Sequence, residues 1–481
     1  MSNKKELTIM QINDTHSYIE PHQELFWSGN KAYYKKAGGF SRISTILKNE
    51  RKNKGNVLTF DGGDTIHGTY QAVHTKGEDM IPILNEMGLD AMTTHWEFAY
   101  GPDHFIKFKE NLDYPVLAIN CYYEDNDELV FNPYIIKEFD NIRVGVIGIA
   151  ATIVDKVMPD SFSEGVYFTF GNKELPKYIN KLKKEEEVDL IVVLSHLGFP
   201  QEAKLAREVN GIDVLLSGHT HNRIHEPAVI NDTIIIQSGC HGSFVGRLDL
   251  EIENDRVTNF NHDLITVTQD IAPDSKIEDM IDNIMKPYRD KLNQIIGYTD
   301  IGLNRNLVLE TTMDNFLLDS IIDLTGADLA FSNGWRYGAP IPKGPITLND
   351  LWNIIPVNPP ISLVELTGQE LWDMMEENLE RTFSRNPYNQ MGGYVKRCMG
   401  LTLYFKVENP NGQRIQRLFI NENLVDPNKV YKAAFVTTQG VPAKYGTNRR
   451  HLDIKAIENL KRYLNKEKVI NPKLRRTIVA V

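Results

Sequence analysis

The chain has 481 residues and a formal net charge of −11, from 53 Lys+Arg against 64 Asp+Glu. That length exceeds a single hydrophobic core, so two domains are expected, and an acidic balance without a dense basic block excludes a nucleic-acid polymer as a bulk partner. The first residues lack the apolar segment of a secretory signal, no run is long enough to span a membrane, and three scattered cysteines (Cys121, Cys240, Cys398) suggest no disulfide framework, which together predict a cytoplasmic protein.

Apolar runs at 7–12, 56–60, 116–119, 143–149, 190–194, 213–217, 233–237 and 247–252 read as strands. Amphipathic stretches such as 39–53 and 173–187 lie between them and read as helices. The predicted fold for residues 1–265 is therefore α/β, a layered β-sandwich flanked by helices. Within 266–297, apolar residues recur at Ile277, Met280, Ile281, Ile284, Met285, Tyr288, Leu292 and Ile295, a helical spacing that predicts a linker helix kinked by Pro287. A second α/β domain is predicted over 298–481. It has helices at 310–324, 347–354 and 368–381, the last two opened by threonine capping contexts. A strand at 327–331 leads into the loop 332–338, and strands at 400–406, 415–420 and 430–436 precede a helix at 453–465.

Five apolar runs end in Asp or His. They lead into Asn13-Asp14-Thr15-His16, Asp61-Gly62-Gly63-Asp64, His95-Trp96-Glu97-Phe98, Ser195-His196 and Gly218-His219-Thr220-His221. In extended backbone residues two apart leave from one side, so His219 and His221 are expected to face one point. Neutral imidazoles facing one point suit a divalent metal. Any one of these motifs is weak, because loop histidines are usually solvated. Five on the carboxyl ends of strands are what an α/β sheet needs to build a site. Asp61 is expected to orient a ligand or cap its loop. Asn13 and Asn120 read as supporting or turn residues, and His67 and His241 as structural or solvated ones. Tyr394 reads as a packing residue or one that flanks a substrate, and nothing in the pattern is expected to place a base against the Cys240 thiol.

The ordered set Asp14-x-His16, Gly63-Asp64, His95, Ser195-His196 and Gly218-His219-Thr220-His221 resembles the calcineurin-like metallophosphatases. The second domain resembles the 5′-nucleotidase C-terminal domain, in Ala327-Asp328-Leu329-Ala330, Asn333-Gly334 and Gly344-Pro345-Ile346-Thr347. The resemblance implies two divalent metal ions (manganese, with iron or zinc as alternatives) bridged by Asp64. One ion would take Asp14, His16 and His221, and the other His196, His219 and the residue at 95. It further implies a small anionic substrate: a metal-bridged hydroxide would attack a phosphoester, nucleotide-like or another phosphomonoester or anhydride.

The nucleotidases carry Gly-Asn-His-Glu-Phe-Asp where this chain has His95-Trp96-Glu97-Phe98-Ala99. Aligned without a gap, His95 replaces a metal-binding Asn, Trp96 the catalytic His and Ala99 its Asp. With Trp96 treated as an insertion, His95 is the catalytic residue. In the gap-free alignment Trp96 stands in the catalytic position and either holds an oxygen through its indole N–H or wedges the loop. The segments His95–Gly101, Gly334–Gly338 and Asn386–Gly393 resemble the sulfate thiohydrolase branch. That likeness implies Arg336 as an oxyanion grip with catalytic and substrate-binding roles, and Trp335, Tyr388 and Gly393 as substrate-binding residues. Thr437-Thr438-Gln439-Gly440-Val441-Pro442 stands where nucleotidases stack the base. Without a strong general acid, leaving groups that need no proton are favoured. Two alternatives to phosphoester hydrolysis follow: hydrolysis of a sulfur–oxo ester (a thiosulfonate or sulfate), or a catalytically weakened metal-dependent binding or sensor protein.

Overall fold

Residues 4–139, 141–392 and 394–481 are described by the computed structural model. The strand Lys5–Ile12 lies at the centre of a five-stranded sheet in the order Arg256–Thr266, Phe244–Glu253, Lys5–Ile12, Val57–Asp61, Ala91–Met92. It pairs antiparallel with Phe244–Glu253 and parallel with Val57–Asp61. A six-stranded sheet has the order Ala228–Ile230, Thr233–Ile236, Val214–Leu216, Leu190–Ser195, Ile142–Ile149, Tyr134–Phe139. Its four inner strands run parallel, and both edge strands are antiparallel.

Alternation along these strands sorts the side chains into layers. Leu190, Val192 and Leu194 join Leu7, Ile9, Phe60 and Leu248 in one buried cluster between the sheets. Ile191 and Val193 point the other way, onto Leu175, Ile179, Leu182 and Leu205 of the helices Leu175–Lys184 and Phe199–Glu208. Each such fully buried aliphatic side chain stabilises the fold by about 1.5–3 kcal/mol. Phe40–Asn53 packs with Ile81–Met87 and Ser275–Met285. The layered α/β expectation is met.

The expected linker helix is divided. Asp274 caps Ser275–Met285 by accepting from the N–H groups of Lys276 and Ile277. A separate turn, Arg289–Leu292, follows Pro287, whose ring nitrogen has no hydrogen to continue the ladder. The chain divides near this point into two compact units, one comprising the residues up to His22 with Lys36–Pro287, the other Gln23–Lys35 with Tyr288–Val481. No sequence pattern foretold the grouping of Gln23–Lys35 with the second unit, where Asn304 Nδ2 donates to Tyr34 Oη at 3.4 Å.

The second unit holds a sheet ordered Arg397–Met399, Leu329–Ser332, Val430–Val436, Pro360–Thr367, Thr447–Lys455. Among the described residues, only Leu329–Ser332 and Val430–Val436 run parallel within it. Thr347 and Thr367 close capping boxes with Asp350 and Glu370, as their contexts predicted.

Three expectations are corrected. Residues 116–119 form isolated bridges (Met92↔Val116, Leu117↔Asn132) in place of a strand. The predicted helix at 453–465 begins at Ala456, because Thr447–Lys455 is a strand. Arg256–Thr266 is an additional strand whose Arg-Val-Thr-Asn-Phe-Asn-His pattern is too polar to read as one. It is an edge strand, and such positions need little apolar content. Among the described residues, no helix is long and apolar enough to cross a membrane.

Candidate metal centre

The loops that follow adjacent parallel strands are laced together by their backbones. Gly62 N–H donates to the Ile12 carbonyl at 2.7 Å, Asp14 N–H to Gly63 at 2.8 Å and His16 N–H to Asp64 at 2.8 Å. Asp14, His16, Asp64, His219 and His221 all have φ between 48° and 69°. Non-glycine residues reach this left-handed region at a cost, usually at sites that use the strain. The expectation that His219 and His221 share one direction from extended backbone is therefore corrected. Both are left-handed, and each joins a different group.

Ligand-type atoms of Asp14, His16, Asp64 and His221 lie within 4.8 Å of one another, as do those of Asp64, His95, His196 and His219. Asp64 belongs to both sets. His221 Nε2 is 3.2 Å from Asp14 Oδ1 and 3.2 Å from His16 Nε2. His95 Nδ1 is 2.9 Å from Asp64 Oδ1, and His196 Nε2 is 3.3 Å from Asp64 Oδ2. Atoms bound about 2.0–2.2 Å from one ion stand roughly 3–3.5 Å from each other, and these four distances lie close to that spacing.

Neighbouring groups fix the donor atoms. His16 Nδ1 donates to the His67 carbonyl at 3.0 Å, and His196 Nδ1 to the Gly62 carbonyl at 2.5 Å, which directs both Nε2 atoms inward. Gly218 leaves room for this, because a Cβ there would stand 2.8 Å from His196 Nδ1. Asp14 accepts from His219 N–H at 3.0 Å and from Asn13 Nδ2 at 2.6 Å. Glu97, fully buried, accepts from Thr65 N–H at 2.6 Å and His95 N–H at 2.7 Å, joining two ligand loops.

The electrostatics also suit cations. Burial pulls His16 down to about 3, against the pull of Asp64. Burial acts the same way on His196, but the Asp64 and Asp14 carboxylates outweigh it and push the imidazole up to about 10. Burial opposes ionisation of Asp14 as well, yet His221 and His196 hold it below the ordinary carboxylate range. Nε2 of His95 is buried without a hydrogen-bond partner among the described residues. Buried nitrogens are normally paired, and mixed imidazole and carboxylate donors fit a divalent ion.

Trp96 N–H donates to Asp64 Oδ1 at 2.8 Å. Its indole is buried, stacked on His67 at 4.7 Å and 9° and set edge-on to Phe162. His67, weighed as structural or solvated, is buried, and burial lowers it to about 4. Asp61 takes the loop-capping part of its expectation, accepting from Gly63 N–H at 3.0 Å and Thr65 Oγ1 at 2.7 Å. Burial raises it to about 7. Asn120 ties Ala150 and Thr169 backbone together, a turn role. The expectation that Cys240 has no base beside it is corrected, since His241 Nδ1 lies 3.5 Å from its Sγ.

In the second unit, Arg336 donates to the Gly392 carbonyl and lies over the Tyr394 ring at 5.2 Å. Trp335 is buried, with the Arg305 guanidinium 5.7 Å from its ring. Tyr388 is buried in the turn Pro387–Asn389. Gly393 lies outside the described residues.

Residues 7–223 match the calcineurin-like phosphoesterase family, and residues 291–439 match the 5′-nucleotidase C-terminal domain. The chain thus joins a calcineurin-like phosphoesterase region to a 5′-nucleotidase C-terminal region. It is 24% identical to a trifunctional nucleotide phosphoesterase protein of Bacillus subtilis, across 98% of this chain but only 34% of that protein's length. It is 24% identical to a 5′-nucleotidase of Vibrio cholerae, across 81% of this chain and 78% of that one. Two solved structures share the fold. One is the sulfate thiohydrolase SoxB of Thermus thermophilus, with a TM-score of 0.92 and 22% identity, covering 99% of this chain and 96% of that one. The other is a 5′-nucleotidase precursor of Thermus thermophilus, with a TM-score of 0.87 and 24% identity, covering 99% of both.

Proposed function

We propose that the chain is a dinuclear metal-dependent hydrolase of a small anionic phosphoester. The observation that carries this reading is the pair of four-residue donor sets that share Asp64. Asp14, His16, Asp64 and His221 would hold one divalent ion, and Asp64, His95, His196 and His219 the other, with manganese, iron or zinc all compatible with these donors. Bound there, two such ions would supply Lewis acidity and a water-derived nucleophile at neutral pH. The chain's own residues hold the arrangement: Glu97 and Asn13 fix the ligand loops, and His67 and Gly62 orient the imidazoles. The second unit is proposed to supply substrate recognition through Arg336, Trp335, Tyr388 and Gly393, with Arg336 as an oxyanion grip.

A second reading, hydrolysis of a sulfur–oxo ester, is supported by Trp96. A buried indole stacked on His67 stands in the nucleotidases' proton-donor position in the gap-free alignment, and leaving groups of low basicity need no donor. The test is turnover by the purified, manganese-loaded chain on aryl phosphates, nucleotides and thiosulfonates. Phosphate release from aryl phosphates or nucleotides supports the first reading, and turnover of thiosulfonates alone replaces it with the second. Two bound metals without any turnover would overturn both in favour of a binding or sensor protein.

A further inference from the structure

In the second unit, Leu329–Ser332 and Val430–Val436 are parallel neighbours, with Phe331 opposite Phe435. Their carboxyl ends therefore bring Ser332 and Thr437 to the same sheet edge, the side on which α/β sheets bind ligands. The Ser332 side chain is fully buried, and both Ser332 Oγ and Thr437 Oγ1 are buried without a hydrogen-bond partner among the described residues. Leaving a buried hydroxyl unpaired is costly, so two at one edge call for an acceptor. Thr437 also has φ 60°. A β-branched residue in the left-handed region is strained, and such strain persists where the position is used.

The edge is closed by polar groups. Asn333 Nδ2 donates to Gln439 Oε1 at 3.1 Å, and Lys396 Nζ donates to the Gln439 carbonyl. Lys396 is buried. The segment Thr437-Thr438-Gln439-Gly440-Val441-Pro442 offers no aromatic face.

We propose that Ser332, Thr437 and Lys396 form an oxyanion subsite in the second unit, taking a small phosphate, sulfate or carboxylate group. Two hydroxyl donors and an ammonium match such a group and leave its acceptors satisfied. Burial, with Arg381 adding to it, lowers Lys396 to about 7. An anion beside it would restore the charged form. The subsite rests on the hydrolase reading only for its role, as the holder of a non-reacting anionic group on the substrate.

The experiment is calorimetric titration of the full chain, stripped of metal by chelation, with inorganic phosphate and in parallel with glycerol 3-phosphate. Wild type is expected to bind both. Binding of phosphate alone would assign the subsite to a free anion instead of a substrate group. Thr437→Val and Ser332→Ala should each weaken binding at least tenfold. Thr437→Gly, which accepts φ 60° without strain, should melt no lower than wild type and still lose at least tenfold in affinity, which separates binding from folding. The titration reads neither metal content nor turnover, so failure of this subsite is distinguishable from failure of the metal centre. Equal phosphate affinity in wild type and Thr437→Gly, or no binding to wild type, would overturn the proposal.

Discussion

Nδ1 of His95 lies 2.9 Å from Oδ1 of Asp64, the carboxylate common to both donor sets. That contact favours the gap-free alignment, in which His95 is a ligand and Trp96 occupies the position next to the chemistry. On that proposed alignment an indole stands where the nucleotidases carry their proton donor.

Asp64→Asn is expected to reduce bound metal from two ions per chain to fewer than one. The variant removes the only charge the two sets share, and each set keeps too few anionic donors. His16→Ala should empty mainly one position. Metal analysis by mass spectrometry reads both, and two ions in Asp64→Asn would remove the bridging assignment.

Trp96→His combined with Ala99→Asp is expected to raise turnover on an alkyl phosphate by on the order of a hundredfold, with little change on an aryl phosphate. A positioned general acid typically contributes that much, and only to leaving groups that need a proton. The ratio of the two rates is the measurement. An unchanged ratio in protein that retains both metals would return the catalytic role to His95.

Gly218→Ala would place a Cβ 2.8 Å from His196 Nδ1 and 3.1 Å from the Gly62 carbonyl. Overpacking of this kind costs about 1–3 kcal/mol. It also displaces a ligand, so weaker metal binding is expected together with a lower urea midpoint. Wild-type affinity in the variant would show that His196 does not depend on this clearance.

Glu202, fully buried, is raised by burial from 4.5 to about 7, against hydrogen bonds from Ser217 and Ser195. Between those values the folded chain holds a proton that the unfolded chain has released. Its contribution to stability therefore falls as pH rises from about 4.5 to about 7, by about 3 kcal/mol in all. Glu202→Gln removes that loss. Urea unfolding of the metal-free protein at pH 5 and pH 8 should show the variant gaining on wild type at the higher pH. A difference that does not change with pH would refute the shift.

Much of this site was legible because parallel strands deliver their terminal residues to one edge. Asp14, Asp64 and His196 follow directly from apolar runs, and the structure brings all three together. What the sequence concealed was the path of the backbone after each strand. Whether His219 and His221 face one point or two depends on φ, and φ there is set by distant partners, such as the bond from His219 N–H to Asp14. Alternation rules assume extended chain and miss this. His67 was undervalued for a similar reason. Its burial depends on Trp96, 29 positions further along, and no local pattern reports that stack.

The lacing of the loops 13–16 and 61–64 by backbone bonds has a consequence for how ions come and go. Because the cage is held by peptide groups and by Glu97, little chain disorder remains for an ion to remove on arrival. Loading should therefore draw on little conformational entropy, and exchange of one ion for another should proceed in the folded chain. Stripping by a chelator and replacement with a different metal should then be reversible without denaturation, which would let the ion in each position follow its supply.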